Sequence, residues 1–443
     1  MLNKVKCYHI IDSILEKAKY FTLVTINREE EGLTRFANSE IHQNVYSDNI
    51  TVKITVIDGK KICNVSTNLL EEDKLMNTLK EAEENIEFLP EGEYEFSYPK
   101  EPLFIEDEEN NENLKEKFST SNRAKLIGQC VESLEEEYKI AGSLSLKTGC
   151  IALGNSNGIK RYKDTATANF NVVVIHEDGA SGYGEVTADK EEDIDVPSIF
   201  NRAYEKARIG RNPKSIEPGY YDVILEPLAV GDLVDFMSFI GFDAEDLREG
   251  FSFLSGKVGE KVFNDKITIK DDLNHNDTYR IPFDFEGFER TPVTLIDKGV
   301  VKGTVYGSKE ALLCNERNTG HSIGYGRGAF PINIIMDSGE ESIKDIIKKS
   351  KKALLITRFH YMNIVDPRQG LLTGLTRDGV FMIEDGEIKY PVKNMRFTET
   401  LLNAFNNVEY VSIEREKVPS FFISQVVPYM KINNFHITGK TEV

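Results

Sequence analysis

The sequence predicts an α+β chain: an N-terminal α/β domain with antiparallel strands and helices, followed by a strand-rich C-terminal domain. Apolar stripes at helical spacing alternate with β-branched runs. Asp-Gly pairs at 58–59, 178–179 and 385–386 mark hairpin turns, and Pro218-Gly219 breaks the chain near its middle. These place one domain at 1–217 and a second at 218–443, with a linker near 90–113 inside the first.

In order, Ile10, Ile11, Ile14, Leu15 and Ala18 space out a helix face over Tyr8 to Lys19. Strands are expected at 21–26, 34–37, 50–57 and 60–66, the last two joined by Asp58-Gly59. Leu75, Leu79, Ala82 and Ile86 set a second helix over 72–88. The acidic runs Glu29 to Glu31 and Glu106 to Glu109 read as solvated loops. A helix over 113–139, strands at 141–153 and 166–176, the Asp178-Gly179 hairpin and a helix at 197–209 complete the first domain. The second opens with a strand at 220–225. It continues with β-branched stretches at 293–305 and 353–359 and the Asp385-Gly386 hairpin.

Composition narrows the function classes. The 443 residues are 40% hydrophobic and 29% charged, ample for cores of ordinary size. Because 54 basic residues face 73 acidic ones, for a net charge of -19, direct nucleic-acid binding is not expected; such binders gain affinity by neutralising phosphates. The scattered cysteines and the lack of a long apolar run point to a cytoplasmic protein that does not engage a membrane.

Three stretches carry a resemblance. They are Arg35-Phe36-Ala37-Asn38-Ser39-Glu40-Ile41-His42-Gln43-Asn44, then Ser252 through Val262, then Gly379-Val380-Phe381 onward through Asp385-Gly386 to Pro391-Val392-Lys393-Asn394. In this order they resemble the TldD/PmbA family of metallopeptidases, once described as modulators of DNA gyrase. The resemblance implies two kinds of chain that pair. One, TldD-like, holds zinc through His-Glu-x-x-x-His on a helix and a cysteine near the C-terminus; the other, TldE- or PmbA-like, lacks those ligands.

Aligned on Gly241, the motif positions here hold Met237, Ser238 and Phe242, so the expectation is no metal bound by this chain and zinc in a partner. The residues alone agree. The closest histidines in sequence, His9 and His42, lie far more than a helical turn apart, and Cys7, Cys63, Cys130, Cys150 and Cys314 form no Cys-x-x-Cys pair. Val230, Leu233, Val234, Met237 and Ile240 recur at the spacing of a buried helix face, which makes Met237 a packing residue. No Gly-x-Ser-x-Gly elbow supports a serine nucleophile.

What the resemblance implies is a TldE/PmbA-like subunit of a cytosolic peptidase that shapes a cleft for unfolded peptides beside a TldD-like partner. The alternatives are a peptide-binding homodimer without hydrolytic activity and an independent metallopeptidase with ligands from distant residues. The substrate-binding candidates are His321 on a Gly-flanked loop; Arg358, His360, Thr373 and Arg377 around one pair of strand ends; and Arg35, Asn38 and His42 in the first family block. Against them stand an exposed histidine on a turn, salt-bridged arginines beside an Asp378-Gly379 turn, and surface-strand polar residues. Asp243, Glu245, Asp246 and Glu249 read as a solvated helix end, and Gly324 to Gly328 as a flexible loop.

Overall fold

A computed structural model describes residues 2–100 and 112–441, and shows the mixed α+β architecture that the sequence predicts. The N-terminal half contains α1 (Lys4–Leu15), β1 (Phe21–Ala37), β2 (Glu40–Asp58), β3 (Lys61–Thr67) and α2 (Glu72–Ile86). It continues with α3 (Glu112–Lys117), α4 (Thr120–Glu132), β4 (Tyr138–Asn155), β5 (Lys160–His176), β6 (Ser181–Ala188) and α5 (Val196–Ile209). The strands form one antiparallel sheet in the order β3-β2-β1-β4-β5-β6.

Strand alternation divides that sheet's faces. Val24, Ile26, Ile54, Val56, Cys150 and Ala152 turn toward α1 and α2, while Phe170, Val172 and Val174 on the same sheet pack with the apolar faces of α4 and α5. The intervening Leu23, Ile57, Ile151 and Leu153 point the other way and meet Tyr279, Ile281, Phe283 and Tyr325 of the second half.

Three expectations need correction. Residues 21–26 and 34–37 belong to one strand, and Glu29 to Glu31 lie within it rather than in a loop. Lys147 of β4 reaches Glu29 at 3.2 Å, and Arg28 of β1 itself pairs with Glu30 at 2.9 Å and with Asp48 of β2 at 2.8 Å. The helix expected at 113–139 is two helices ending at Glu132. The stretch 293–305 holds only a short hairpin, turned at Lys298-Gly299 with φ of 47° and 80°. The acidic run 106–109 and residues 101–111 of the expected linker lie outside the described residues.

The second half contains β7 (Gly219–Leu225), α6 (Pro227–Gly241), α7 (Ala244–Glu249), β8 (Ile269–Asp271), β9 (Val293–Asp297), β10 (Val300–Val301), α8 (Ser308–Cys314), β11 (Ile334–Met336) and α9 (Ile343–Lys349). Then come β12 (Lys352–Asp366), β13 (Leu371–Glu384), β14 (Glu387–Pro391), β15 (Met395–Thr400), α10 (Leu401–Asn406), β16 (Val408–Pro419) and β17 (Ser424–Lys440). They build an 11-stranded sheet whose main path runs β10-β9-β8-β11-β17-β15-β13-β12-β7, with β14 on β13 and β16 on β17. Pro227 starts α6 at a position where no backbone N–H is needed. The helix then packs into the largest core through Val230, Leu233, Val234, Met237 and Ile240.

Ion pairs reinforce the seam between the halves. Lys417 lies 3.1 Å from Asp189 and 2.6 Å from Asp193, and Arg202 lies 2.7 Å from Glu416. At Gly287, φ is +93° and an added Cβ would stand 2.6 Å from Ile159 Cδ1 and 2.9 Å from Leu153 Cδ1. Gly287→Ala should therefore destabilise the chain by about 2 kcal/mol, through overpacking and backbone strain together. A lowered urea midpoint with unchanged slope checks this.

Candidate functional site

The site expected from sequence lies on α6, and its burial decides its chemistry. Met237 and Phe242 are fully buried, and 11 of the helix's 15 residues are buried. Zinc requires imidazole, thiolate or carboxylate donors in a near-tetrahedral array. A thioether, a hydroxyl and a phenyl ring at 237, 238 and 242 do not fit it. Among the described residues no three His, Cys, Asp or Glu side chains come together as a ligand set.

What α6 does present is a pocket of about 350 Å³. Phe236 and Phe239 rise from the helix, Phe330, Pro331 and Ile332 come from the segment before β11, Ile364 from β12, and Phe421 and Phe422 from the β16–β17 turn. The rings contact one another: Phe239 stacks on Phe330 with centroids 5.8 Å apart, and Phe236 meets Phe421 edge-on at 5.5 Å. Two polar side chains of α6, Asp235 and Ser238, line the same space. Asp235 Oδ2 accepts from the Phe421 amide at 3.2 Å, so this carboxyl holds the aromatic turn against the helix. Burial first, and then the neighbouring Asp232, push Asp235 up to about 8. One turn earlier, Asp232 accepts from the Phe359 amide at 3.2 Å and burial pushes it up to about 7.

None of the eight substrate-binding candidates lines this pocket. His321 is enclosed rather than exposed on a turn: Nδ1 is 2.9 Å from Thr319 Oγ1 and Nε2 3.2 Å from Asp271 Oδ1, with 1% of the residue accessible. Burial alone would raise Asp271, but the charges of His321 and Arg290 and the hydrogen bonds it accepts hold it below the usual carboxylate range. The ring is therefore enclosed within the fold and is not presented to a peptide carbonyl. The segment that follows is different, since Pro331 and Ile332 line the pocket.

Arg358 and Arg377 face each other across the β12–β13 hairpin, with His360 opposite Leu375. Arg358 is already committed, its Nε donating to Asp378 Oδ2 at 2.8 Å and its guanidinium lying 3.9 Å over the Tyr183 ring. Ser181 donates to the other Asp378 oxygen at 2.7 Å, so this pair ties the two halves together. Asp378-Gly379 is not a turn; it lies inside β13 with φ of 54° and 124°. Thr373 donates to the Phe397 carbonyl at 2.8 Å across β15, while Arg377 stands 4.0 Å from Asp378 and is 36% exposed. His360 is half-buried, and burial together with Arg358 and Arg377 lowers its pKa. Arg35, Asn38 and His42 are exposed at the end of the long β1–β2 hairpin, where Asn38 and Ser39 make the turn with φ of 50° and 64°.

Two further readings change. Asp243 caps α7, accepting from the amides of Glu245 at 2.7 Å and Asp246 at 3.2 Å; it is buried, and that burial pushes it up to about 6. The loop Gly324 to Gly328 is pinned by Tyr325, whose ring is buried among Phe21, Phe96 and Tyr98 and whose hydroxyl donates to Ser97 O at 3.2 Å. The aromatic pocket itself went unread, although Phe421-Phe422 beside a Pro-Ser turn and Phe236-Phe239 off the apolar stripe were its signals.

A helix packed over a large mixed sheet, beside an antiparallel N-terminal sheet with its own helices, is a fold shared with a metallopeptidase-related class of proteins. The family model described as "PmbA/TldA metallopeptidase C-terminal domain" matches residues 218–439, and that for "PmbA/TldA metallopeptidase domain 1" matches residues 24–86. The chain belongs to the TldD/PmbA family. An uncharacterized protein of Methanocaldococcus jannaschii is 31% identical over 211 residues, 46% of this chain and 50% of that protein, so the chain spans only half that relative's length. A metalloprotease TldD homolog of Buchnera aphidicola is 23% identical over 84% of this chain and 81% of its own. The crystal structure of TldE from Thermococcus kodakarensis superposes with a TM-score of 0.88 at 20% identity, covering 98% of this chain and 99% of that one.

The raised Asp235 has a measurable consequence. The folded chain keeps a proton that an unfolded aspartate releases near pH ~4. Stability is therefore full below that pH and falls as pH rises through about 8, where the buried carboxyl ionises. Asp235→Asn keeps an acceptor for the Phe421 amide and removes the titration. Between about pH 5 and pH 9 it should flatten the fall in unfolding free energy by at least ~1.4 kcal/mol, the equivalent of one pH unit. Urea titrations at each pH measure the difference.

Proposed function

We propose that this chain is the non-metal-binding subunit of a cytoplasmic TldD/TldE-type metallopeptidase. It pairs with a TldD-like chain that supplies zinc and hydrolysis, and it shapes the cleft in which unfolded peptides are held. The observation that carries the reading is α6, where the family's ligand positions hold Met237, Ser238 and Phe242 and two of those three are fully buried. Reintroducing a ligand set there would need a rebuilt core, not a rotamer change. The clustered exposed rings at 239, 421 and 422 also mark a surface with a binding role. Because homologous chains present related faces, pairing with a TldD-like chain is the natural pseudo-symmetric assembly.

No step of hydrolysis is assigned to residues of this chain. Its contribution is positional, and extended substrates suit it because a sheet edge holds a peptide through main-chain hydrogen bonds irrespective of sequence. The test is to coexpress the tagged chain with a homologue from the same genome that carries His-Glu-x-x-x-His, and to assay hydrolysis of an unfolded protein by the pair and by each chain alone. A stable heterodimer whose activity exceeds that of the metal-bearing chain alone is expected. Hydrolysis by this chain alone, or a homodimer that ignores the homologue, would overturn the proposal.

A further inference from the structure

The pocket over α6 has the features of a ligand site whose ligand can be described chemically. Phe239, Phe421 and Phe422 are 49%, 57% and 44% exposed, so their rings stay in contact with water unless something covers them. At the inner wall, Ser238 is only 7% exposed and its Oγ has no hydrogen-bond partner. A buried hydroxyl without a partner costs free energy that a ligand can recover. Asp235 is 9% exposed and uses Oδ2 for the Phe421 amide, which leaves Oδ1 for the pocket. A ligand that fits is flat and apolar over most of its surface, with one hydrogen-bond donor at its inner end.

The volume of about 350 Å³ lies at the small end of ligand sites, too small for a helix or a domain and adequate for one large side chain. The strand beside it favours a peptide over a free small molecule. Beyond Phe359, β12 pairs only with β13 among the described strands, and in this segment Tyr361 and Val365 are exposed while Ile364 forms part of the pocket wall. An extended chain pairing with that open edge sets alternate side chains on the face that carries Ile364.

We propose that this pocket receives one tryptophan or tyrosine side chain of an extended peptide, with the ring against Phe239 and Phe330 and the indole N–H or phenol O–H donating to Ser238 Oγ or Asp235 Oδ1. This rests on the peptide-cleft reading above and adds a residue preference to it. The preference belongs to the non-metal chain, so the pair would select substrates at a position that the hydrolytic subunit does not read.

The chain contains no tryptophan, so indole fluorescence reports on the peptide alone. The probes are a capped pentapeptide with a central tryptophan between glycines, its alanine counterpart as competitor, and N-acetyltryptophanamide, all against the full chain. A saturable blue shift with the tryptophan pentapeptide is expected. Competition by the alanine peptide should be at least about tenfold weaker, as should binding of N-acetyltryptophanamide. Ser238→Ala should weaken binding by about fivefold, the loss of one hydrogen bond. Phe239→Ala, at the exposed rim where folding is least at risk, should weaken it by about tenfold.

An unshifted emission, equal competition by the alanine peptide, or equal binding of N-acetyltryptophanamide would overturn the assignment. So would displacement of the bound peptide by a metal-bearing homologue, which would mean that the pocket takes a partner's side chain. The results with peptides alone do not depend on whether the two chains copurify, so the subunit reading and the pocket stand or fall separately.

Discussion

The burial of α6 is the constraint on which the C-terminal half depends. β12, β16 and β17 all pack on it, and its close approach to the last two is visible at Gly231, where a Cβ would stand 2.8 Å from Val418 Cγ2 and 3.1 Å from Gln425 Nε2. Gln425 in turn donates to the Gly231 carbonyl at 3.0 Å. A helix held this tightly can bear catalytic groups only on the face left open. In this chain that face carries Asp235, Phe236, Ser238 and Phe239, and the helix forms the floor of an aromatic pocket.

The same helix ties its surroundings through carboxyls. Asp232 accepts from the β12 backbone at Phe359 and Asp235 from the aromatic turn at Phe421, each at 3.2 Å. These are buried polar groups spent on backbone amides, which fix loop positions that apolar packing alone leaves free. At the seam, Arg358, Asp378, Ser181 and Tyr183 do similar work between the two halves. That is why an arginine that looked available for a substrate carboxylate is occupied within the fold, and losing one partner of such a pair costs more than the pair itself contributes.

Much of the fold was legible in sequence because its signals are local. Asp58-Gly59, Asp178-Gly179 and Asp385-Gly386 turn hairpins as read, and the stripe through Met237 packs as read. What was misread depends on partners distant in the chain. Glu29 to Glu31 looked like a loop because the strands that flank them, and the Lys147 and Tyr46 that reach Glu29 and Glu30, lie elsewhere in sequence. Asp378-Gly379 has the composition of a turn and serves as a kink within a strand.

The candidate site was legible only by subtraction. The missing histidines at 237 and 242 identified the helix, but the pocket is assembled from five separated segments, and no periodicity links Phe239 to Phe330 or Phe422. His321 misled for the opposite reason: its glycine neighbour suggests an exposed loop, whereas Asp271, fifty residues away, draws it inside.

Packing at Met237 and Phe242 leaves α6 without zinc donors at these positions, and the metal content of the purified chain is the most direct test. After incubation with excess zinc and dialysis, elemental analysis should find no zinc above a chelator-treated control. One zinc retained per chain, with the fold unchanged, would contradict the account.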